Sequence, residues 1–374
     1  MGRENQSIIN KQRVKVAIYT NHLDNGGISK YVYNLHDALL LEQIDSDIVT
    51  FHSDTIYGEH IKLLSCHNHW QRVKKLRQYI KSKSIKFIIS NTWFEALIAK
   101  IASFGIKGIK VYSVVHIRPN LWGFSSNDVI RKTLSKLSLA WCDQVIAVSN
   151  ELCQAMIKEG LVEEDHIQTI YNPVIFNEES VTVIPMDLKV KDTVEIAIIG
   201  WIQPRKAQDV IVKAFSRVNN RNFCLNFIGG VDDKSYKQQV QDLIEKYQLN
   251  KNVKFWGPQK DVFSILKKMD LLVTASRGEA LPTVMIEALS CAVPIISSDC
   301  DYGPKEILDN GKYGLLFEVD NDQQLCDCYQ TMVNNAELYQ QFIELSVQRG
   351  QLFTAREAAK KYKMLFDEIG REMS

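Results

Sequence analysis

Short runs rich in Val and Ile return along the whole chain, and between them lie segments whose apolar residues fall three and four apart. Buried parallel strands read as the first pattern and crossover helices as the second, so the alternation restricts the chain to an α/β fold. The first such unit is VKVAIYT (14–20), a turn bearing two glycines, and ISKYVYNLHDALLLE, in which Ile28, Val32, Leu35 and Leu39 share one helical face. DIVTF, KFIIS, KVYSVVH, QVIAVS and HIQTI continue the series. The segment 171–192 carries two prolines, scattered charge and no sustained period, and reads as a linker. Past it VEIAIIG, FCLNFIGG, NVKFWG, LLVTAS and VPIISS repeat the same logic, and beyond Leu325 the pattern is helical to the end. A length of 374 residues exceeds what one core organises. The expectation is two doubly wound Rossmann-like domains, 1–180 and 181–352, with a helix at 353–374 crossing back to the first. Open α/β sheets bind ligands at the carboxyl ends of their strands, here in a cleft between the two domains.

Apolar residues make up 45% and charged residues 24%, which excludes a disordered or fibrous chain. A net charge of +1 argues against a nucleic-acid binder. That average hides an asymmetry: between His60 and Cys142 stand 15 Lys and Arg against Glu95 and Asp128 alone, a local net charge of +13. The longest stretch free of Asp, Glu, Lys and Arg is 12 residues, 166–177, too short for a spanning helix. The first 15 residues hold no apolar core of a secretory signal, so the expected address is cytoplasmic. Eight cysteines include no C-x-x-C pair and read mostly as small buried hydrophobes, with neither disulfide framework nor zinc site.

Four constellations follow strands. In the segment 276–308, SRGEALPTVMIEALSCAVPIISSDCDYGPKEIL, the strand LLVTAS ends, a loop carries Glu279, and Pro282 suits the start of a helix that continues through Glu287. The N–H groups of Thr283 and Val284 would face a phosphate there, and an ionised glutamate accepts several sugar hydroxyls at once. Taken alone, two glutamates beside a helix read as readily as surface caps. In IIGWIQPRKAQDVIVKAF (198–215), Arg205 and Lys206 offer two cations for a diphosphate leaving group; the plainer reading is a solvated loop. Gly26 and Gly27 permit positive φ and close approach of a ligand to the backbone before the first helix, though a Gly-Gly pair also serves any turn. His116 follows the strand KVYSVVH, a place equally suited to a structural hydrogen bond or to a donor contact, with Arg118 and Asn120 beside it.

The segment 276–308, with its two glutamates spaced E-x7-E, resembles the donor-site signature of retaining glycosyltransferases of family 4, which share the two-domain GT-B fold, and the resemblance spans nearly the whole chain. It implies an enzyme moving a hexose or N-acetylhexosamine from a UDP-sugar to a growing cell-surface glycan: lipopolysaccharide, capsule or another lipid-linked oligosaccharide. Glu279 would hold hydroxyls of the transferred sugar and Glu287 the ribose, with Leu281, Pro282, Thr283 and Val284 completing the donor site. Gly26 and Gly27 would touch the donor phosphates, and His116, Arg205, Lys206 and Glu279 would form the catalytic set. The family usually carries Arg directly after the glycine of the second constellation. Trp201 stands there, and Arg205 is expected to substitute from a neighbouring turn. Rival readings are a sugar-nucleotide epimerase or phosphorylase on the same fold, and a non-catalytic partner that has lost donor binding.

No cofactor and no metal are expected. Asp-x-Asp pairs occur at 45/47, 299/301 and 320/322, of which Asp299/Asp301 at a strand end is the serious rival to a metal-free reading. Cys66, His67 and His69 lack a second ligand pair and read as a loop. Residues 62–86 hold eight cations and no carboxylate, with Trp70, Val73, Leu76 and Ile80 read as one apolar stripe facing the sheet. Those cations suggest contact with an anionic membrane surface or acceptor, and hence peripheral attachment to the inner face of the plasma membrane.

Overall fold

The computed structural model describes residues 15–23, 26–53, 60–117, 129–175, 187–220 and 222–372. The strands of the first sheet are β1 (Lys15–Leu23), β2 (Asp45–Ser53), β3 (Ile61–Leu63), β4 (Phe87–Ser90), β5 (Lys110–Val115), β6 (Gln144–Ala147) and β7 (Ile167–Thr169). Those of the second are β8 (Val194–Ile199), β9 (Phe223–Ile228), β10 (Val253–Gly257), β11 (Leu271–Thr274), β12 (Ile295–Ser298) and β13 (Leu315–Phe317). The orders are β3-β2-β1-β4-β5-β6-β7 and β10-β9-β8-β11-β12-β13. Pairing of β1 with β2 and β4, and of β8 with β9 and β11, is parallel. The fold is α/β with two Rossmann-like sheets and interleaved helices. Strand order reverses between β1 and β4 and again between β8 and β11, and each reversal leaves a crevice at the strands' carboxyl ends.

Two compact units result: Met1–Val114 with Val129–Val145 and Ala359–Ser374, and Val115–Asp128 with Ile146–Ala358. In the first, the helix Ala355–Glu372 supplies Tyr362 and Phe366, both buried. Phe366 packs at a tilt against Phe87 and stacks on Tyr112, and the hydroxyls of Tyr31 and Tyr362 hydrogen-bond at 2.6 Å. In the second, every residue of β9 is buried, and Phe215, Phe223 and Tyr329 pack ring against ring beneath it. All eight cysteines are free, seven of them buried.

Two sequence expectations need correction. The basic stretch does contain a helix, His69–Ser82, whose Leu76 and Ile80 are buried. Trp70, however, is 82% exposed. At about 100° per residue it falls outside the face that Leu76, Tyr79 and Ile80 define, so it cannot join their stripe. Several cations of this stretch are also engaged with their own unit: Arg72 donates to Asn21 Oδ1, Arg77 to the carbonyls of Ala102 and Phe104, and Lys75 to that of Ser65. The second correction concerns glycine. Gly26 caps the helix Gly27–Leu41 with φ −84°, and Gly27 is already helical, so neither needs positive φ. A Cβ on Gly27 would meet nothing within 4 Å, so what this glycine leaves in front of the helix is space. The central part of the linker, 176–186, lies outside the described residues.

Candidate active site

The crevice between β8 and β11 is walled by the loops that leave those two strands. After β8 the backbone turns at Gly200, φ +147°, and a Cβ there would press on Lys206 Cε at 3.3 Å, so the lysine stem lies along the glycine. The short turn Pro204–Lys206 follows, closed by Ala207 in the left-handed region at φ 49°, and the helix Gln208–Ser216 begins. After β11 the chain passes Glu279 and reaches Pro282, which stands before the helix Thr283–Ser290 with no side-chain cap. The first N–H groups of that helix are thereby left to other acceptors.

Glu279 joins the two loops. Its Oε1 accepts from Lys206 Nζ at 2.6 Å and its Oε2 from Arg205 Nη1 at 3.1 Å. Arg205 Nη1 also donates to the carbonyl of Gly278 at 2.8 Å, and Arg277 N to that of Arg205 at 2.8 Å. The carboxylate side chain is only 11% exposed, Lys206 18% and Arg205 39%. Burial alone would raise the Glu279 pKa, but Lys206 and then Arg205 outweigh it and hold it below the ordinary carboxylate value. The site is therefore a charged pair of loops at a topological switch point, with one anion between two cations.

Pro282 and Val284 line the same small cleft as Lys206 and Glu279. Leu281 is buried, its carbonyl accepting from Asn172 Nδ2 at 3.3 Å. Thr283 opens the helix, and Glu287, one turn on, is 1% exposed. Neither glutamate is a surface cap: Glu279 sits in the loop with little exposure, and Glu287 is buried. Trp201 occupies the place where a cation is usual in the resembling family. Its ring covers Gly230, where a Cβ would come within 2.4 Å of Trp201 Cζ3. Arg205 lies in the next turn and reaches Glu279. His116 follows β5 of the other sheet, half-buried, and burial pushes its pKa down to about 3, so the ring is neutral. Arg118 and Asn120 lie outside the described residues. Sequence reasoning missed two residues here. Gln208 opens the helix after the turn; its Nε2 donates to the Trp201 carbonyl while its buried Oε1 finds no partner among the described residues, and the side chain lines the cleft. Gly303, at φ +95°, lets the loop after β12 approach the Pro282 ring, since a Cβ would sit 2.7 Å from Pro282 Cδ. A glycine before a proline was the only signal for it.

Each Asp-x-Asp pair has a cation on it. Lys15 pairs with Asp45 and Asp47, Lys305 with Asp299, Arg277 with Asp320 and Arg217 with Asp322. Among the described residues, no cluster of three or more His, Cys, Asp or Glu is arranged to hold a metal ion. Nor, among them, is any helix long and apolar enough to cross a membrane.

Comparison with known proteins assigns these features. The family model for Glycosyl transferases group 1 matches residues 185–349, and that for Glycosyltransferase Family 4 matches 25–177. The chain belongs to the family 4 glycosyltransferases, of the GT-B type. This glycosyltransferase is 30% identical over 208 residues to an uncharacterised glycosyltransferase of Methanocaldococcus jannaschii, a match covering 47% of this chain and 50% of that protein. The aligned part thus spans half the length of that relative. It is 24% identical over 381 residues to an α-1,4-N-acetyl-D-galactosaminyltransferase of Campylobacter jejuni, named for an undecaprenol-diphosphate-linked saccharide, covering 95% of this chain and 99% of that one. Among solved structures, Anabaena HepE in complex with UDP has a TM-score of 0.80 at 16% identity, over 95% of this chain and 100% of the other, a likeness of fold.

Proposed function

We propose that this glycosyltransferase transfers a hexose or N-acetylhexosamine, with retention, from a UDP-sugar to a growing lipid-linked glycan at the cytoplasmic face of a membrane, without a metal or other cofactor. The observation that carries the proposal is the Lys206–Glu279–Arg205 cluster at the switch point between β8 and β11. A diphosphate entering there competes with Glu279 for both cations. Once it takes them, the carboxylate is released to accept hydrogen bonds from hydroxyls of the sugar, and the uncapped helix at Thr283 offers N–H groups to a phosphate oxygen. Glu287 contacts the ribose and His116, as a neutral ring, the transferred sugar.

The bond from C1 of the sugar to the diphosphate oxygen breaks as the acceptor oxygen bonds to C1 on the same face. The acceptor's proton passes to the departing diphosphate. Lys206 and Arg205 stabilise the charge that develops on that oxygen, and no enzyme carboxylate acts as nucleophile. The choice of donor is supported by the UDP named for Anabaena HepE, and the choice of acceptor by the lipid-linked saccharide named for the Campylobacter jejuni relative.

The test is a panel of nucleotide sugars with a diphosphate-linked lipid saccharide as acceptor, scored for nucleotide release and for the product's anomeric configuration by NMR, with and without EDTA. Transfer with retained configuration in chelator is expected. An inverted product, abolition by EDTA with rescue by manganese, or turnover of donor without acceptor would each overturn the corresponding part of the reading.

A further inference from the structure

The helix Val129–Trp141 is turned inside out. The hydrophobic effect places the apolar stripe of a domain helix inward and its polar residues outward. Here the buried residues include Ser135 and Ser138, at 2% and 1% exposure, alongside Leu139. The serines satisfy themselves on backbone: Ser135 Oγ donates to the Lys132 carbonyl, and Ser138 Oγ donates to that of Trp93 at 2.6 Å. Small side chains allow the neighbouring helix Trp93–Ser103 to come close, and that contact leaves the large apolar residues facing away.

Those residues form a line. Ile130, Leu134, Leu137 and Trp141 recur at intervals of four, three and four, and stand 74%, 42%, 60% and 44% exposed. Val129, at 66%, is exposed about a quarter turn to the side of the line, and Phe104, 73% exposed, caps the C-terminal end of the neighbouring helix. Scattered exposed leucines are ordinary, whereas a full stripe along one helix marks a surface made to be covered.

The charges indicate what covers it. The helix contains Arg131, Lys132 and Lys136 and no carboxylate, and at about 100° per residue Arg131 and Lys136 flank the stripe on its two sides while Lys132 lies opposite it. It belongs to the stretch His60–Cys142 in which Glu95 and Asp128 are the only acids. Glu95 is itself buried, its oxygens held by the N–H groups of Asn21 and Asn91. A second copy docked on the same face would set cations against cations. An anionic bilayer instead offers hydrocarbon to the stripe and phosphates to Arg131 and Lys136 beside it, with Trp141 suited to the level of the headgroups.

We infer that the helix Val129–Trp141 lies in the surface of an anionic phospholipid membrane, inserting the Ile130–Leu134–Leu137–Trp141 stripe and seating Arg131 and Lys136 among the headgroups. The docking surface is then this helix rather than the basic helix His69–Ser82, and the inference stands independently of the donor site.

The experiment is co-sedimentation of the full chain with vesicles of phosphatidylcholine alone or of an equal mixture with phosphatidylglycerol. The parent is expected to bind the mixed vesicles. An Ile130→Ser/Leu137→Ser variant should bind them at least about tenfold more weakly, since it removes two side chains that the bilayer would bury. Arg131→Ser/Lys136→Ser should lose the preference for the anionic lipid, while Lys74→Ser/Lys81→Ser on the other helix should bind as the parent does. All three alter exposed positions, and circular dichroism melting, expected unchanged, confirms that each folds. A parent that stays in the supernatant overturns the inference, as does undiminished binding by the Ile130→Ser/Leu137→Ser variant. Light scattering that shows a dimer of the parent, broken by that same variant, would assign the face to a second copy.

Discussion

A carboxylate between two cations can be exchanged for another anion, and the contacts of Glu279 make that exchange the measurable event at residue scale. Lys206→Ala should lower product formation about 100- to 1,000-fold, the usual effect of removing one donor to developing charge, with a smaller change in KM. Glu279→Gln should keep the volume but weaken both ion pairs, and is expected to lower kcat while leaving nucleotide affinity close to the parent's. Calorimetric titration with UDP separates the two effects. The sequence made each of these residues visible singly, because each lies in a loop that follows a strand. Their convergence was not visible, since Lys206 and Glu279 are 73 positions apart and only strand order brings their loops together. Glu95 was missed in kind: it read as one acid in a basic stretch, yet it clasps the backbone of Asn21 and Asn91 and accepts from Thr20. Burial pushes its pKa up from 4.5 to about 7, against the hydrogen bonds that lower it. The folded protein therefore holds a proton that the unfolded chain has lost, so the stability it contributes is full below 4.5 and gone once the pH has risen through about 7. Glu95→Gln cannot titrate there. The Tm of the parent minus that of this variant should fall across the interval, and a constant difference would contradict the assignment.

Among elements, the strands and helices with long apolar patterns stood out in the sequence, and two of the shortest did not. β3 and β13 are three residues each, too few for a period to register, whereas the equally short β7 was marked by the isoleucines of HIQTI. The expected strands also ran past their ends, taking in Gly200, Gly229 and Gly230, because a glycine after a buried run carries no mark of where pairing stops. Those glycines shape the crevice. Gly229 adopts φ +150°, and a Cβ there would lie 2.1 Å from the Gly200 carbonyl oxygen. Gly229→Ala should cost roughly 1–3 kcal/mol for the backbone conformation alone, with the collision added to it. Urea denaturation should show this as a lower midpoint at an unchanged slope. The helix Val129–Trp141 teaches the complementary lesson. Its apolar residues keep helical spacing, yet which face turns inward was decided by two serines small enough to let another helix approach.

At the scale of the molecule, alternation of strand and helix was enough to give two Rossmann-like sheets, while strand order was not legible, since pairing is a long-range choice. The donor loops all belong to the unit that contains β8 to β13. UDP at one hundred times its Kd should stabilise that unit by about 2.7 kcal/mol, raising its calorimetric Tm by several degrees. A melting curve unmoved by millimolar UDP would contradict the donor assignment. The other unit closes its core with Tyr362 and Phe366, residues separated from the rest of it by more than two hundred positions of intervening chain. During synthesis its sheet must therefore wait, with the pocket around Phe87 and Tyr112 open to solvent, while the whole second unit is made and can already fold. The part that starts first finishes last, and a nascent chain halted before residue 362 would present that open pocket to chaperones.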